Sequence, residues 1–197
     1  TGLHLGLGVR TVATSRNFTQ GSLQQSSNSL DVAINGNGFF EVQLPDGTIG
    51  YTRDGSFQLD SQGRLVTSGG LPVANGITVP QGATSISISE SGVVSATLAG
   101  NPQPQQLGQL AMSSFINAAG LQPVGQNMYK ESAASGAPQQ GQPGTNGLGV
   151  MRQGFLETSN VNVVEELVTM IQTQRAYEMN SKAIQTSDQM LAKLSQL

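Results

Sequence analysis

Roughly the last forty residues constrain this chain most, because they read as one helix too long for the rest of the chain to cover. Asn162 stands where an N-cap is needed, and Glu165 three residues on completes the capping-box spacing, with Asn in place of Ser or Thr. Glu165 and Glu166 also put negative charge in the first turn, where the helix dipole favours it. From there to Leu197 there is neither Pro nor Gly. At about 1.5 Å per residue this is a rod of roughly 50 Å, against a usual helix of about 11–12 residues.

The apolar positions of that rod recur every seventh residue at Val163, Met170, Tyr177, Ile184 and Leu191. Leu167 and Ile171 widen the stripe at its start, while Ala176, Ala183, Met190, Leu194 and Leu197 widen the other flank towards its end. The second heptad column opens with Leu167 but turns polar at Gln174, Ser181, Asp188 and Ser195, so the seam is one-sided and drifts. Such a seam makes a weak two-stranded zipper and a reasonable face for a helix in a larger bundle. The stripe of Val163, Leu167, Met170, Ile171, Tyr177, Ile184, Met190, Leu191 and Leu194 is therefore the candidate assembly interface.

Upstream the pattern changes to short β-rich runs broken by turn residues. Residues 1–25 read as an extended arm, with a strand-like alternation at Val9–Thr14, and 24–29 as a polar connector. Residues 26–130 read as a compact β domain. Its expected strands cover 31–34, 39–44, 49–53, 57–59, 65–67, 77–79, 86–88, 93–97 and 106–113. The turns between them are Asn35-Gly36-Asn37-Gly38, Pro45-Asp46-Gly47, Asp54-Gly55 and Asp60–Gly63. Residues 131–156, rich in Gly, Pro and Gln, read as a connector, and 157–197 as the helical segment. The fold class expected is mainly β, a multi-hairpin domain with extended flanking arms and one long C-terminal α-helix.

Little in the chain supports chemistry. Charged residues make up 11 % and Lys and Arg together number 9, without a cluster, so a phosphate-neutralising nucleic-acid surface is not expected. There is no Cys, which excludes disulfides and thiolate chemistry. No apolar run approaches the ~18–20 residues of a membrane span, and no signal-peptide pattern is present. The chain begins at Thr1, so an upstream segment is expected.

His4 is the only histidine and stands without a catalytic partner. Asp46, Asp54 and Asp60 are explained by the turns they start, and no D-x-D-x-D-G loop follows them. Gly36-x-Gly38 leads into a strand, so it is a turn and not a dinucleotide fingerprint. Asn17-Phe18-Thr19 matches a glycosylation sequon of a kind common by chance. Phe39, Tyr51 and Phe57, at period-two spacing, are expected in the core and not on a sugar-binding shelf. No enzyme activity, cofactor or metal is expected.

Two stretches carry a resemblance. Glu157-Thr158-Ser159-Asn160-Val161-Asn162-Val163-Val164-Glu165-Glu166-Leu167 and its continuation through Leu191 closely resemble the flagellar rod and hook family. Asn35-Gly36-x-Gly38-Phe39-Phe40 and Tyr51-Thr52-Arg53-Asp54-Gly55-Ser56-Phe57 resemble the β domain shared by that family.

The resemblance implies a structural subunit of the distal rod, the driveshaft between motor and hook. It implies that the terminal helix pairs with an N-terminal helix, one not within these residues, to form the inner tube of a helical polymer with the β domain outside. The partners implied are further copies of the chain, the hook and proximal rod proteins and the surrounding P- and L-ring bushing, with no nucleic acid and no membrane insertion. The place implied is the periplasm-spanning rod of the basal body, reached by flagellar type III export. Hook and proximal-rod members of the family are the near alternatives. A β-domain adhesin or tail-fibre head on a stalk would need a two-column heptad, which Gln174, Ser181 and Asp188 break.

Overall fold

Phe39-Phe40-Glu41-Val42 is the stretch around which the β structure is laid, since all four side chains are buried. A strand covered on both faces needs neighbours on both edges and layers above and below, and this one has them. The computed structural model describes residues 16–194; the Val9–Thr14 strand and His4 lie outside the described residues. The chain divides into two units, one ending at Ser159 and one beginning at Asn160.

In chain order the first unit contains β1 (Leu23–Gln25), β2 (Val32–Asn35), β3 (Phe39–Gln43), β4 (Ile49–Thr52), β5 (Phe57–Leu59), β6 (Leu65–Thr67) and β7 (Ala83–Ile88). Then follow β8 (Val93–Leu98), β9 (Asn101–Gln109), β10 (Met112–Ser114), β11 (Gln122–Gly125), β12 (Met128–Lys130), β13 (Gln139–Gly141), β14 (Val150–Gln153) and β15 (Phe155–Glu157). The second unit is the helix α1 (Val163–Leu194). The largest sheet has the order β11-β12-β4-β3-β10-β13, with every pairing antiparallel. A three-stranded sheet β7-β8-β9 and the two-stranded ribbons β2–β14, β5–β6 and β1–β15 complete the unit. The class is mainly β with one long C-terminal helix, as the sequence pattern leads one to expect.

Side-chain alternation along β3 feeds separate clusters. Phe40 enters the main core with Val32, Ile34, Phe57, Met112 and Met151, and meets Phe57 edge-to-face at 5.1 Å. Phe39, on the opposite face, joins Tyr51 and Phe115, whose rings are 4.7 Å apart. Phe39, Tyr51 and Phe57 are thus core residues. Glu41 shares the face of Phe39, and its carboxylate is satisfied inside the unit by the Ser113 hydroxyl and by Gln140 Nε2 at 3.1 Å. Gly36 and Gly38, with φ of +119° and +136°, make the turn into β3 in a conformation that L side chains rarely adopt.

Four segments differ from the sequence reading. Ile77–Val79 forms only a bridge from Arg64 to Thr78, because Gly76 and Pro80 close it at either end and Pro80 offers no N–H to a ladder. The run 106–113 is two strands, β9 and β10, which belong to different sheets. Residues 131–156, expected as a connector, contain β13 and β14 and give Leu148 and Met151 to the main core. Their composition hid this, because their order comes from long-range pairing; Gly149 lies so close to β2 that a Cβ would be 2.5 Å from Asn35 O. The polar connector read at 24–29 likewise begins inside β1.

Burial pushes the Tyr51 phenol up to about 12 from an ordinary 10.0, and the negative charges of Glu41 and Glu131 add to it. A phenol whose pKa is higher folded than unfolded contributes stability that is complete below pH 10.0 and lost as pH rises through about 12. Tyr51→Phe should therefore abolish the tyrosinate absorbance component that titrates near pH 12 and flatten the alkaline fall in stability; an unchanged titration in the variant would contradict this.

Candidate assembly interface

Helix α1 starts where Asn162 caps it. The Val164 N–H donates to Asn162 Oδ1 at 3.2 Å, and the Glu166 N–H donates to the Asn162 carbonyl at 3.0 Å. Glu165 and Glu166 lie in the first turn and Lys193 in the last, both favourable to the dipole. Thr173 and Thr186 donate their hydroxyls to the carbonyls one turn back, at 2.9 and 2.8 Å, so these polar residues sit in the helix without breaking it.

With 32 residues, α1 is about 48 Å long. The candidate residues Val163, Leu167, Met170, Ile171, Tyr177, Ile184 and Met190 are exposed by 48 to 76 %. Leu191 and Leu194 belong to α1, but their side chains fall outside the described residues. Val164, Val168 and Met179 are equally exposed and were not part of the heptad reading; their signal is apolar character beside the counted columns. Among the described residues no helix is long and apolar enough to cross a membrane. Apolar side chains on this scale, rimmed by polar ones, mark an interaction surface.

A neck in the β unit is built from two segments distant in the chain, β1 and β15. β1 and β15 pair as Leu23–Glu157, Gln24–Leu156 and Gln25–Phe155. Thr158 extends the ribbon by donating its N–H to the Ser22 carbonyl at 2.9 Å. At Gly21 the strands approach so closely that a Cβ would lie 1.8 Å from Thr158 O.

Arg53 fastens this neck to the domain. Its Nε donates to Glu157 Oε2 at 2.9 Å, its Nη1 to the carbonyls of Gly36 and Gly38 at 3.2 and 3.0 Å, and its Nη2 to Gly36 O at 3.2 Å. Glu157 Oε1 accepts the Gly21 N–H at 2.9 Å. Both charged side chains are largely buried, at 16 and 13 % exposure. The Gly36 N–H in turn donates to Gln20 Oε1 at 3.0 Å. One guanidinium thus joins the stretches 35–40, 51–57 and 157–159. The sequence reading quoted both Arg53 and Glu157 within motifs without pairing them. An arginine beside an Asp-Gly turn in a chain so poor in charge is the available signal.

A cleft of about 370 Å³ beside Arg53 is lined by Phe18, Phe39, Phe115, Ile116 and Asn146 among others. Among the described residues no group of three or more His, Cys, Asp or Glu is placed to hold a metal ion.

A capped helix with exposed apolar side chains, following a β domain tied across β1 and β15, gives the chain the form of a structural component. The chain belongs to the flagellar hook and basal-body rod family: residues 33–96 match the D1 domain of flagellar hook protein FlgE/F/G, and residues 152–197 match the C-terminal region of the flagellar basal body rod FlgEFG proteins. Its similarity runs along its whole length to proteins named flagellar basal-body rod protein FlgG. The one from Buchnera aphidicola subsp. Acyrthosiphon pisum is 59 % identical over 197 residues, which is 100 % of this chain and 76 % of the relative. That from Borreliella burgdorferi is 52 % identical over 96 % of this chain and 72 % of its own length. A FlgF rod protein of Caulobacter vibrioides is less similar, at 34 % over 88 % of this chain and 67 % of the relative. The chain is a structural component of the flagellar basal body.

Removing the Arg53 side chain leaves Glu157 and the Gly36 and Gly38 carbonyls without their donor in a largely buried place. Arg53→Ala should cost about 2–3 kcal/mol in denaturant unfolding of the β unit, and Arg53→Lys, which cannot fork, should recover only part of it. A loss under about 0.5 kcal/mol, the ordinary surface value, would show the neck to be held by its strand pairing alone.

Proposed function

We propose that this protein is the distal rod subunit of the flagellum, a mechanical and not a catalytic part. It polymerises into a helical tube that carries torque from the motor to the hook. Val163, Leu167, Met170, Ile171, Tyr177, Ile184, Met190, Leu191 and Leu194 on α1 form its assembly interface in the inner tube, with the β unit in the outer layer. Its neighbours are further copies of itself, the proximal rod and the hook, and it turns within the P- and L-ring bushing after passing through the type III export channel.

The observation that carries the reading is the exposure of the apolar side chains along the whole described length of α1. The higher identity to the FlgG relatives than to the FlgF relative supports a FlgG-like place among the rod proteins. In this role the neck at Arg53 and Glu157 is the part through which load leaves the β unit, because Glu157, just before α1, is held there to β1 and to Arg53.

The test is electron cryo-microscopy of hook–basal bodies from cells carrying either the natural subunit or Ile184→Asp. The β unit should fit the straight segment inside the outer rings, and the variant should give basal bodies that stop short of that segment in non-motile cells while its β unit still folds. Density for the β unit in the curved hook, or normal motility of Ile184→Asp, would contradict the proposal.

A further inference from the structure

Within the β unit nearly every described cation has a partner. Arg53 is held by Glu157, Arg64 by Asp60 and Lys130 by Asp46. Arg16 lies over the Tyr129 ring, 5.6 Å from its centroid. Arg152, on β14, is the exception among the described residues of this unit. It is exposed, and its guanidinium meets neither a carboxylate within 4.0 Å nor an aromatic face.

Glu41 is the complementary case among the carboxylates. It is only 4 % exposed, yet its carboxylate receives two neutral donors, Ser113 and Gln140, and no cation. A carboxylate has about four acceptor sites, and buried charge is ordinarily paired. Asp31, also buried, is closed over by its own turn through Ser26 and Asn28. Glu41 instead lines a cleft of about 320 Å³ together with Asn75, Gln109, Gln140 and Gln142. Three of these amides already donate through their NH2 groups. Asn75 Nδ2 donates to Gln109 O at 2.7 Å, Gln109 Nε2 to Ser91 O at 2.8 Å, and Gln140 Nε2 to Glu41 Oε2 at 3.1 Å. Among the described residues no donor reaches the side-chain oxygens of those three amides.

The cleft thus presents a carboxylate and amide oxygens, and its chemistry asks for a cation with several N–H groups. A guanidinium carries five in a planar fork and accepts none, which makes arginine the natural cation for a carboxylate at an interface. Resting on the assembly role proposed above, we infer that Arg152 of one copy enters the Glu41 cleft of a second copy and joins their β units. The cations of α1, Arg175, Lys182 and Lys193, belong to the inner tube in that reading, whereas Arg152 and the cleft both belong to the β unit. Donor and cleft are different patches of one surface, so the contact is head-to-tail. Each copy gives Arg152 to one neighbour and receives another's at Glu41, which repeats along a polymer without pairing it off into dimers.

Arg152 and Gln142 are both exposed, so a thiol at either leaves the core untouched, and the chain has no cysteine of its own. Full-length subunits carrying Arg152→Cys and Gln142→Cys are expressed together, and the isolated basal bodies are treated with a short bismaleimide. A dimer holding one modified peptide of each kind should form, and rods of either variant alone should give monomers. With one thiol per chain, no bridge can close within a copy. In a second series, Glu41→Gln and Arg152→Gln should each lower the denaturant concentration at which isolated rods come apart. The double variant should fall no further than the weaker single one, because both remove the same contact. Glu41→Gln keeps the shape of the side chain and an acceptor for Ser113, so the β unit of the free subunit should unfold close to the natural midpoint.

Rods that contain both thiol variants yet give no mixed dimer, or losses that add in the double variant, would overturn the contact and leave the rod role intact. Weakening by Glu41→Gln with no effect of Arg152→Gln would show that another cation fills the cleft, and would overturn Arg152 as its occupant. Should Arg152→Cys copies stay out of rods, the second series decides. Absence of the natural subunit from the straight segment inside the outer rings would overturn the rod role and this inference together.

Discussion

Arg53 is the side chain on which the geometry of the β unit most depends. A guanidinium is a planar fork of donors, and here the fork makes four hydrogen bonds: Nε to a carboxylate, Nη1 and Nη2 to the carbonyls of the turn that launches β3. That turn needs positive φ at Gly36 and Gly38, so its carbonyls point where no ordinary strand would send them. Glu157 supplies the counter-charge and passes the constraint on to Gly21 through its other oxygen. The result is that the incoming and outgoing chains are fixed to one another and to the central strand.

The assembly role proposed for this chain asks for an unusual surface. Only 11 % of the residues are charged, and the strands at the sheet edges carry Gln, Pro and Gly. Neutral polar edges broken by proline do not invite strand-to-strand joining. Most of the large exposed apolar side chains are instead on α1. A 32-residue helix with its apolar side chains in water has little but its own hydrogen bonds and cap to hold it. Covering those side chains supplies the missing stability, so folding of the helix and joining of subunits are one event in this account.

How much of this the sequence disclosed depended on how local the cause was. The helix, its cap at Asn162 and its start were legible because capping and periodicity act over a few residues. So were the hairpins at Asp46–Gly47 and Asp60–Gly63, and the burial of Phe39, Tyr51 and Phe57. The strands of 131–156 were not legible. Gln139–Gly141 and Val150–Gln153 have weak strand character of their own and are ordered by partners on β10 and β2, far away in the chain. The partnership of Arg53 and Glu157 spans 104 residues and leaves no spacing to read. Within the helix, the heptad count found the apolar column of Val163, Met170, Tyr177 and Ile184, which drifts by about 20° per heptad, but not the equally exposed Val164, Val168 and Met179 beside it.

The central claim, that the β unit is complete by itself while α1 takes its order from neighbouring subunits, is tested most directly by hydrogen exchange of the same chain free at low concentration and within assembled rods. Free, the amides of β2, β3, β4 and β10 should be strongly protected while those of Val163–Leu194 exchange nearly as fast as an unstructured chain; in the rod, the helix should become as protected as the strands. A helix already protected in the dilute monomer would contradict the account, since its order would then owe nothing to assembly.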